Sequence, residues 1–341
     1  MEVIVPAAGM SSRFPGMKPK YLLYDYKHEL MLTNAISYYY RKGLKITIGI
    51  LREHDEKYNS AEFIRYHYGN SVNIIILDEK TKGPADTVYQ ILQRCDAKEF
   101  IVKDCDSSFI HELTNDDNYV CVSNISEHET LNKLYAKSFV ICNEQGIITD
   151  IVEKKVVSNN FCVGGYKFRN ADKYMDAYEL VQKEKEVYVS DVISTLMNYG
   201  EIFTTRFVKE YQDFGTVQEW LKHNDRPVIF CDIDGTLIHN QTRVGLNNYN
   251  AVPIKLENNV RVLLEKQEQG AQFVFTTSRT KDQREVTEAM LKRLGFRDFE
   301  LIMGLQNTRR ILINDYDTAN PYPRAEAINL KRNSDNLSDY L

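Results

Sequence analysis

Glu2-Val3-Ile4-Val5-Pro6-Ala7-Ala8-Gly9-Met10-Ser11-Ser12-Arg13-Phe14 opens the chain as an apolar run that ends in small residues and then a cation. Glu2 to Pro6 reads as a first buried strand, and the small residues as a turn that lets backbone N–H groups approach a phosphate. Downstream, Leu30 to Gly43 reads as a helix, Ile46 to Leu51 as a buried strand, and Val72 to Leu77 and Phe100 to Val102 as short apolar strands. Strands alternating with helical stretches predict an α/β fold with a mostly parallel sheet and helices on both faces. From Asn118 the rhythm changes to hairpin-like strands at Tyr119 to Ser123, Tyr135 to Cys142, Ile147 to Glu153 and Phe161 to Phe168, with a turn at Asn143-Glu144-Gln145-Gly146.

The polar stretch Leu221 to Asp225, closed by Arg226-Pro227, interrupts this pattern. A second βαβ rhythm follows: strand Val228 to Cys231, helix Asn258 to Gln269, strand Ala271 to Thr276, helix Lys281 to Leu294 and strand Arg310 to Ile313. Two domains are therefore predicted, 1–222 and 227–341, in keeping with a length of 341 residues.

Composition narrows the function classes. Lys plus Arg total 43 against 48 Asp plus Glu, a net charge of −5, which argues against a general nucleic-acid binder. No apolar run approaches the ~20 residues of a membrane span, and the N-terminus lacks signal-peptide character, so a cytoplasmic chain without membrane partners is expected. The six cysteines are scattered with no C-x-x-C pair, which disfavours zinc and structural disulfides. The 22 tyrosines are spread out with no interleaved basic stripe, so they read as packing and surface rather than as an RNA platform.

Two constellations carry chemistry. In the first, Ala8, Gly9, Ser11 and Ser12 are candidate phosphate-cradling residues. Arg13 adds a forked cation, and Lys20, in Lys18-Pro19-Lys20, a point charge able to reach a reacting phosphorus. Phe100-Ile101-Val102-Lys103-Asp104-Cys105-Asp106 is a strand ending in an Asp-x-Asp. Carboxylates at such a strand tip face the ligand crevice, where Asp106 and Asp104 are candidates to hold Mg²⁺ against a triphosphate.

In the second, Val228-Ile229-Phe230-Cys231-Asp232-Ile233-Asp234-Gly235-Thr236-Leu237 delivers two carboxylates at i and i+2, on one side of a strand, before a turn.

The first constellation resembles the N-terminal signature of sugar-phosphate nucleotidyltransferases, whose fold is Rossmann-like. Ser11 stands where that family often has a second glycine. The resemblance extends through Lys82-Gly83-Pro84-Ala85-Asp86, similar to the loop that lies against the base, and implies nucleotide-binding roles for Gly83 and Ala85. It continues through Ile151-Val152-Glu153-Lys154-Lys155 and Gly164-Gly165-Tyr166, implying that Glu153, Lys154 and Gly165 bind the acceptor. Tyr211-Gln212-Asp213-Phe214-Gly215-Thr216 resembles the segment with the second metal-binding Asp, here Asp213. The implied reaction is in-line attack of an acceptor phosphate on the α-phosphorus of a nucleoside triphosphate, with Mg²⁺ as cofactor and Arg13 and Lys20 as catalytic cations.

The second constellation resembles motif I of the haloacid dehalogenase (HAD) superfamily of phosphatases. The resemblance implies Asp232 as nucleophile, Asp234 as general acid–base, and both among the metal-site carboxylates. Phe273-Val274-Phe275-Thr276-Thr277-Ser278-Arg279 matches motif II, making Thr277 and Ser278 the phosphate-binding candidates, with Thr276 an alternative. Ile311-Leu312-Ile313-Asn314-Asp315-Tyr316-Asp317 matches motif IV, with Asp315 completing the Mg²⁺ site and Asp317 assisting. Arg309 or Arg310 supplies the motif III cation. Only Ile238 to Leu256 is left as an insert, so the cap is minimal.

The combined expectation is a bifunctional enzyme. It transfers a nucleotidyl group, with CTP favoured and GTP and UTP open, to a phosphorylated sugar or polyol, and hydrolyses a phosphate monoester, in surface-glycan precursor synthesis. A glycosyltransferase with a fused phosphatase and a non-catalytic scaffold stay open as alternatives.

Overall fold

Val3, Ile4 and Val5 are wholly buried, and their alternation defines the two faces of the main sheet. Val3 and Val5 pack with Ile36, Tyr39 and Ile64, whereas Ile4 packs with Val88, Ile91, Tyr174 and Val192. The structure, a computed structural model, describes residues 1–114, 117–128, 134–181, 186–240, 253–315 and 325–341. The chain divides into two units, Met1–Leu221 and Lys222–Leu341.

The first unit contains β1 (Glu2–Pro6), α1 (Met31–Arg41), β2 (Lys45–Leu51), α2 (Arg52–Tyr58), α3 (Ser60–Tyr68), β3 (Val72–Leu77), α4 (Pro84–Leu92), β4 (Phe100–Lys103) and β5 (Ser107–Ile110). It continues with β6 (Asn118–Asn124), β7 (Phe139–Cys142), β8 (Ile148–Val152), β9 (Asn160–Phe168), α5 (Ala171–Leu180), α6 (Val189–Asn198), β10 (Phe203–Phe207) and β11 (Lys209–Asp213), followed by α7 (Val217–Asn224). The sheet runs β10-β6-β9-β4-β1-β2-β3, with β7 and β8 attached beside β9. β4, β1, β2 and β3 are parallel, and β9 enters antiparallel between β4 and β6. Helices α1 and α3 cover the Val3 face, and α4, α5 and α6 the Ile4 face, so the α/β architecture expected of this part is present. β7 starts at Phe139 rather than Tyr135, because Leu134–Ala136 is wound into a 3₁₀ turn.

A separate antiparallel ribbon, β5 with β11, matters most for the site. Its register sets Asp213 opposite Ser107, and Phe214 N–H donates to the Asp106 carbonyl at 2.8 Å. Two acids more than a hundred residues apart thus meet at one end of the sheet.

The second unit has β12 (Val228–Asp232), α8 (Glu257–Glu268), β13 (Gln272–Thr276), α9 (Arg284–Leu294) and β14 (Phe299–Ile302). The three strands are parallel, in the order β12-β13-β14, over a core that includes Ile233, Leu237, Leu263, Phe275 and Leu291. The strand expected at Arg310 to Ile313 is not formed. Ile311, Leu312 and Ile313 are 68%, 53% and 87% exposed, since a short apolar run becomes a strand only when a neighbour pairs its backbone. Residues 241–252 of the insert, and Asp317, lie outside the described residues.

No helix among the described residues is long and apolar enough to cross a membrane. All six cysteines are free thiols; Cys105, Cys121, Cys162 and Cys231 are buried, Cys95 and Cys142 half-buried. Burial pushes the pKa of the four buried thiols upward.

Candidate active sites

At the C-terminal ends of β1 and β4 the first unit opens a cleft of about 900 Å³. Ala8, Gly9, Ser11, Ser12, Arg13 and Lys20 line it. Ser11 adopts φ 51°, the left-handed conformation that a glycine enters more easily, and its hydroxyl accepts the Lys20 backbone N–H at 3.0 Å. The side chain that departs from the family pattern thus fixes the residue expected to do chemistry.

Lys20 Nζ donates to Asp106 Oδ2 at 2.6 Å, and Arg13 Nη2 reaches the same oxygen at 3.3 Å. Burial works against the charge on Lys20, but Asp106 outweighs it and leaves the Lys20 pKa raised. Burial likewise pushes the Asp106 carboxyl up, but Lys20 and then Arg13 overcome it and hold it well below the usual carboxylate range. Beneath this turn the buried Lys103 donates to the Asp104 carbonyl at 2.7 Å and to the carbonyl and hydroxyl of Ser107 at 2.8 Å, fixing the loop that presents Asp106.

Asp213 belongs to the same cleft. A β-carbon built on Gly215 would sit 3.0 Å from Asp213 Oδ1, 3.1 Å from Arg13 Nη1 and 3.3 Å from Asp106 Oδ2, so the two carboxylates flank a hollow that the glycine leaves open. Mg²⁺ takes one or two carboxylates and fills its remaining positions with water and phosphate oxygens, and this donor set fits it. Asp104 is not a third member: among the described residues no three His, Cys, Asp or Glu are grouped to hold a metal. The Asp104 carboxyl packs on Gly164 instead, and burial, together with the Asp106 charge, raises its pKa.

Gly83, Glu153 and Lys154 also line the cleft. Glu153 accepts from the hydroxyls of Ser138 and Ser190, the latter at 2.7 Å, while Lys154 donates to Tyr188. Two expected residues are displaced from the site. Ala85 is wholly buried, with its N–H on the Val187 carbonyl at 3.2 Å. Gly165 is packed in the core, where a β-carbon would fall 2.6 Å from Phe109, and Gly164 lines the cleft in its place. Lys137, Tyr188, Ser138 and Ser190 line the cleft without having been singled out in the sequence; they carry no local motif and lie just before β7 or at the start of α6.

In the second unit Asp232 ends β12, and its register partner is Thr276 at the end of β13. Burial raises the Asp232 pKa, with Arg310 opposing from 3.8 Å. Arg310, not Arg309, is thus the cation beside this acid. Asp234 is held at both oxygens by the buried Arg279, Nε to Oδ2 at 2.9 Å and Nη2 to Oδ1 at 2.7 Å. That pairing fixes the orientation of the Asp234 carboxylate, and each oxygen keeps a second lone pair. Thr277 is buried and lies 3.5 Å from Asp234 Oδ2, whereas Ser278 is exposed. Asp315 is exposed, and among the described residues it forms no three-acid metal group with Asp232 and Asp234. Arg279 sat inside the motif II stretch; an arginine directly after a strand-end hydroxyl run was the available signal.

No family model matches the chain, and no curated protein matches it by sequence. Solved structures do. The nucleoside-diphosphate-sugar pyrophosphorylase from Vibrio cholerae RC9 is similar at 20% identity and TM-score 0.55, over 65% of this chain and 98% of its own. The inositol-1-phosphate CTP transferase from T. maritima matches at 15% identity and TM-score 0.55, over 64% and 90%. A UDP-glucose pyrophosphorylase complexed with UDP-glucose matches at 17% identity and TM-score 0.51, over 66% and 97%. The N-terminal part of the chain therefore has the Rossmann-like fold of the sugar-phosphate nucleotidyltransferases.

Proposed function

We propose that the chain is a nucleotidyltransferase that activates a small phosphorylated sugar or polyol with a nucleoside triphosphate, CTP favoured, and that its second unit is a phosphatase. The observation that carries the first activity is the convergence of Lys20 and Arg13 on Asp106, beside Asp213, at the strand ends of the cleft.

The backbone of Ala8 to Ser12 cradles the triphosphate. Arg13 and Lys20 balance the charge that builds on the α-phosphate and on the departing pyrophosphate. An acceptor phosphate oxygen forms the new bond to the α-phosphorus, and the bond to the β-phosphate oxygen breaks with its electron pair. No general base is needed, because the acceptor phosphate is already anionic. Glu153, oriented by two hydroxyls, is placed to accept from acceptor hydroxyl groups. Asp106 and Asp213 would hold Mg²⁺, which would supply further charge neutralisation.

The test is pyrophosphate release with CTP, UTP and GTP across a panel of sugar and polyol phosphates. Release of a nucleoside diphosphate instead favours glycosyl transfer. Lys20→Ala is expected to lower turnover by on the order of 10²-fold or more, the size of losing one preorganised charge.

The phosphatase proposal rests on Asp232 standing opposite Thr276 at the ends of parallel strands, with the hydroxyl of Thr277, the next residue, 3.5 Å from Asp234. Asp232 attacks the phosphorus of a monoester, the P–O bond to the alcohol breaks as Asp234 gives a proton to the leaving oxygen, and Asp234 then takes a proton from the water that hydrolyses the aspartyl phosphate. Release of inorganic phosphate from p-nitrophenyl phosphate measures it. The proposed setting for both reactions is the supply of surface-glycan precursors in the cytoplasm.

A further inference from the structure

The resemblance that points to Lys154 as an acceptor residue leaves another lysine of the same cleft without a role. Lys137 Nζ donates to Asp213 Oδ2 and, at 2.8 Å, to the Tyr211 hydroxyl. It also lies over the Phe161 ring at 5.5 Å and the Tyr211 ring at 5.4 Å. Its side chain is 15% exposed, against 49% for Lys154. The Lys137 carbonyl accepts the Lys154 backbone N–H at 3.1 Å, which fastens the two lysines to the same wall.

Their ammonium groups are committed differently. Lys154 Nζ is taken up by Tyr188 and, at 3.9 Å, by Glu186, at the cleft rim. Lys137 sits on one of the two carboxylates that flank the Gly215 hollow, just as Lys20 sits on the other. Without substrate Asp213 is therefore matched by Lys137, and Asp106 by Lys20 together with Arg13. The aromatic shelf and the Tyr211 hydroxyl hold the Lys137 charge independently of Asp213. When the charge on Asp213 is engaged by a divalent cation, Lys137 keeps its place and becomes an unbalanced positive charge inside the cleft.

We propose that Lys137, rather than Lys154, binds the phosphoryl group of the acceptor, a phosphomonoester dianion, and aligns its attacking oxygen. This rests on the nucleotidyltransferase reading and deepens it. Lys20 and Arg13 then serve the triphosphate, Lys137 the incoming phosphate, and Lys154 with Glu153 the remainder of the acceptor.

The experiment is calorimetric titration of the full chain with Mg²⁺ and the α,β-methylene analogues of CTP, UTP and GTP. The complex that forms is then titrated with inorganic phosphate, which stands for the acceptor's phosphoryl group. The expected result is phosphate binding weakened about tenfold or more by Lys137→Met, the size of losing one charge-assisted hydrogen bond. Lys137→Arg recovers part of the loss, Lys154→Met changes phosphate affinity less than about threefold, and nucleotide affinity stays within about twofold in each variant. The assignment is overturned if Lys137→Met binds phosphate as wild type does, or if Lys154→Met carries the loss. It is equally overturned if Lys137→Met loses nucleotide and phosphate in parallel, which marks a prop for Asp213, or if the wild-type nucleotide complex takes up no phosphate. Failure of the wild-type protein to bind any of the three analogues instead removes the nucleotidyltransferase reading, and the Lys137 assignment falls with it.

Discussion

His111 illustrates how much a single buried side chain contributes in this fold. Its ring is bonded to the Tyr39 hydroxyl at 2.9 Å and packs against Phe109 and Tyr119. Burial holds its pKa down to about 4. An unfolded chain takes up this proton near pH 6.5, well before the native one does, so the contribution is complete above pH 6.5 and is lost as the pH falls toward 4. Between pH 7 and pH 4 this single group should cost the native state about 3 kcal/mol. Urea unfolding midpoints of wild type and His111→Gln at the two pH values test it: the acid-induced drop should be smaller in the variant. The catalytic candidates at this scale were unevenly legible. Arg13, Lys20 and Asp106 lie within or close to contiguous motifs and could be read directly. Lys137 and Arg279 act through partners distant in sequence, Asp213 and Asp234, and have no spacing of their own to betray them.

At the scale of elements, α4 shows why its preceding loop can be read while its neighbours cannot. Pro84 occupies the first turn, and Asp86 Oδ2 accepts the Lys82 N–H at 2.6 Å, an arrangement written in adjacent residues. Gly83 adopts φ 134°, and a β-carbon there would meet the Val187 carbonyl oxygen at 2.5 Å. Gly83→Ala should therefore part the loop from Val187 and destabilise the fold by about 1–3 kcal/mol, with weaker nucleotide binding. Thermal melting and nucleotide titration would reveal it, and an unchanged melting temperature would contradict the packing argument. Where the reading failed, the missing information was a partner. Ile311-Leu312-Ile313 has the composition of a buried strand, yet periodicity cannot say whether a neighbouring edge is there to receive it. Gly164 and Gly165 are adjacent glycines whose opposite placements depend on which side of β9 meets the cleft.

For the whole molecule, the α/β alternation was visible in the apolar rhythm, while the entry of β9 as an antiparallel strand between parallel neighbours was not. Its position is decided by long-range pairing rather than by local composition. Each proposed chemistry draws only on residues of its own unit, Lys20 and Asp106 in one, Asp232 in the other. Lys20→Ala should therefore lower pyrophosphate release by on the order of 10²-fold or more while leaving p-nitrophenyl phosphate hydrolysis intact, and Asp232→Asn should lower only the hydrolysis. Loss of both activities in either variant would mean that the two reactions are not independent.

The distribution of thiols has a practical consequence. Cys231 is the sole sulfhydryl between Lys222 and Leu341, while five others lie before that segment. Because it is shielded and kept protonated, an alkylating reagent can label it only when its surroundings open. Mass spectrometry of timed labelling would thus read the opening of the second unit on one peptide and that of the first unit on others, without adding a single probe.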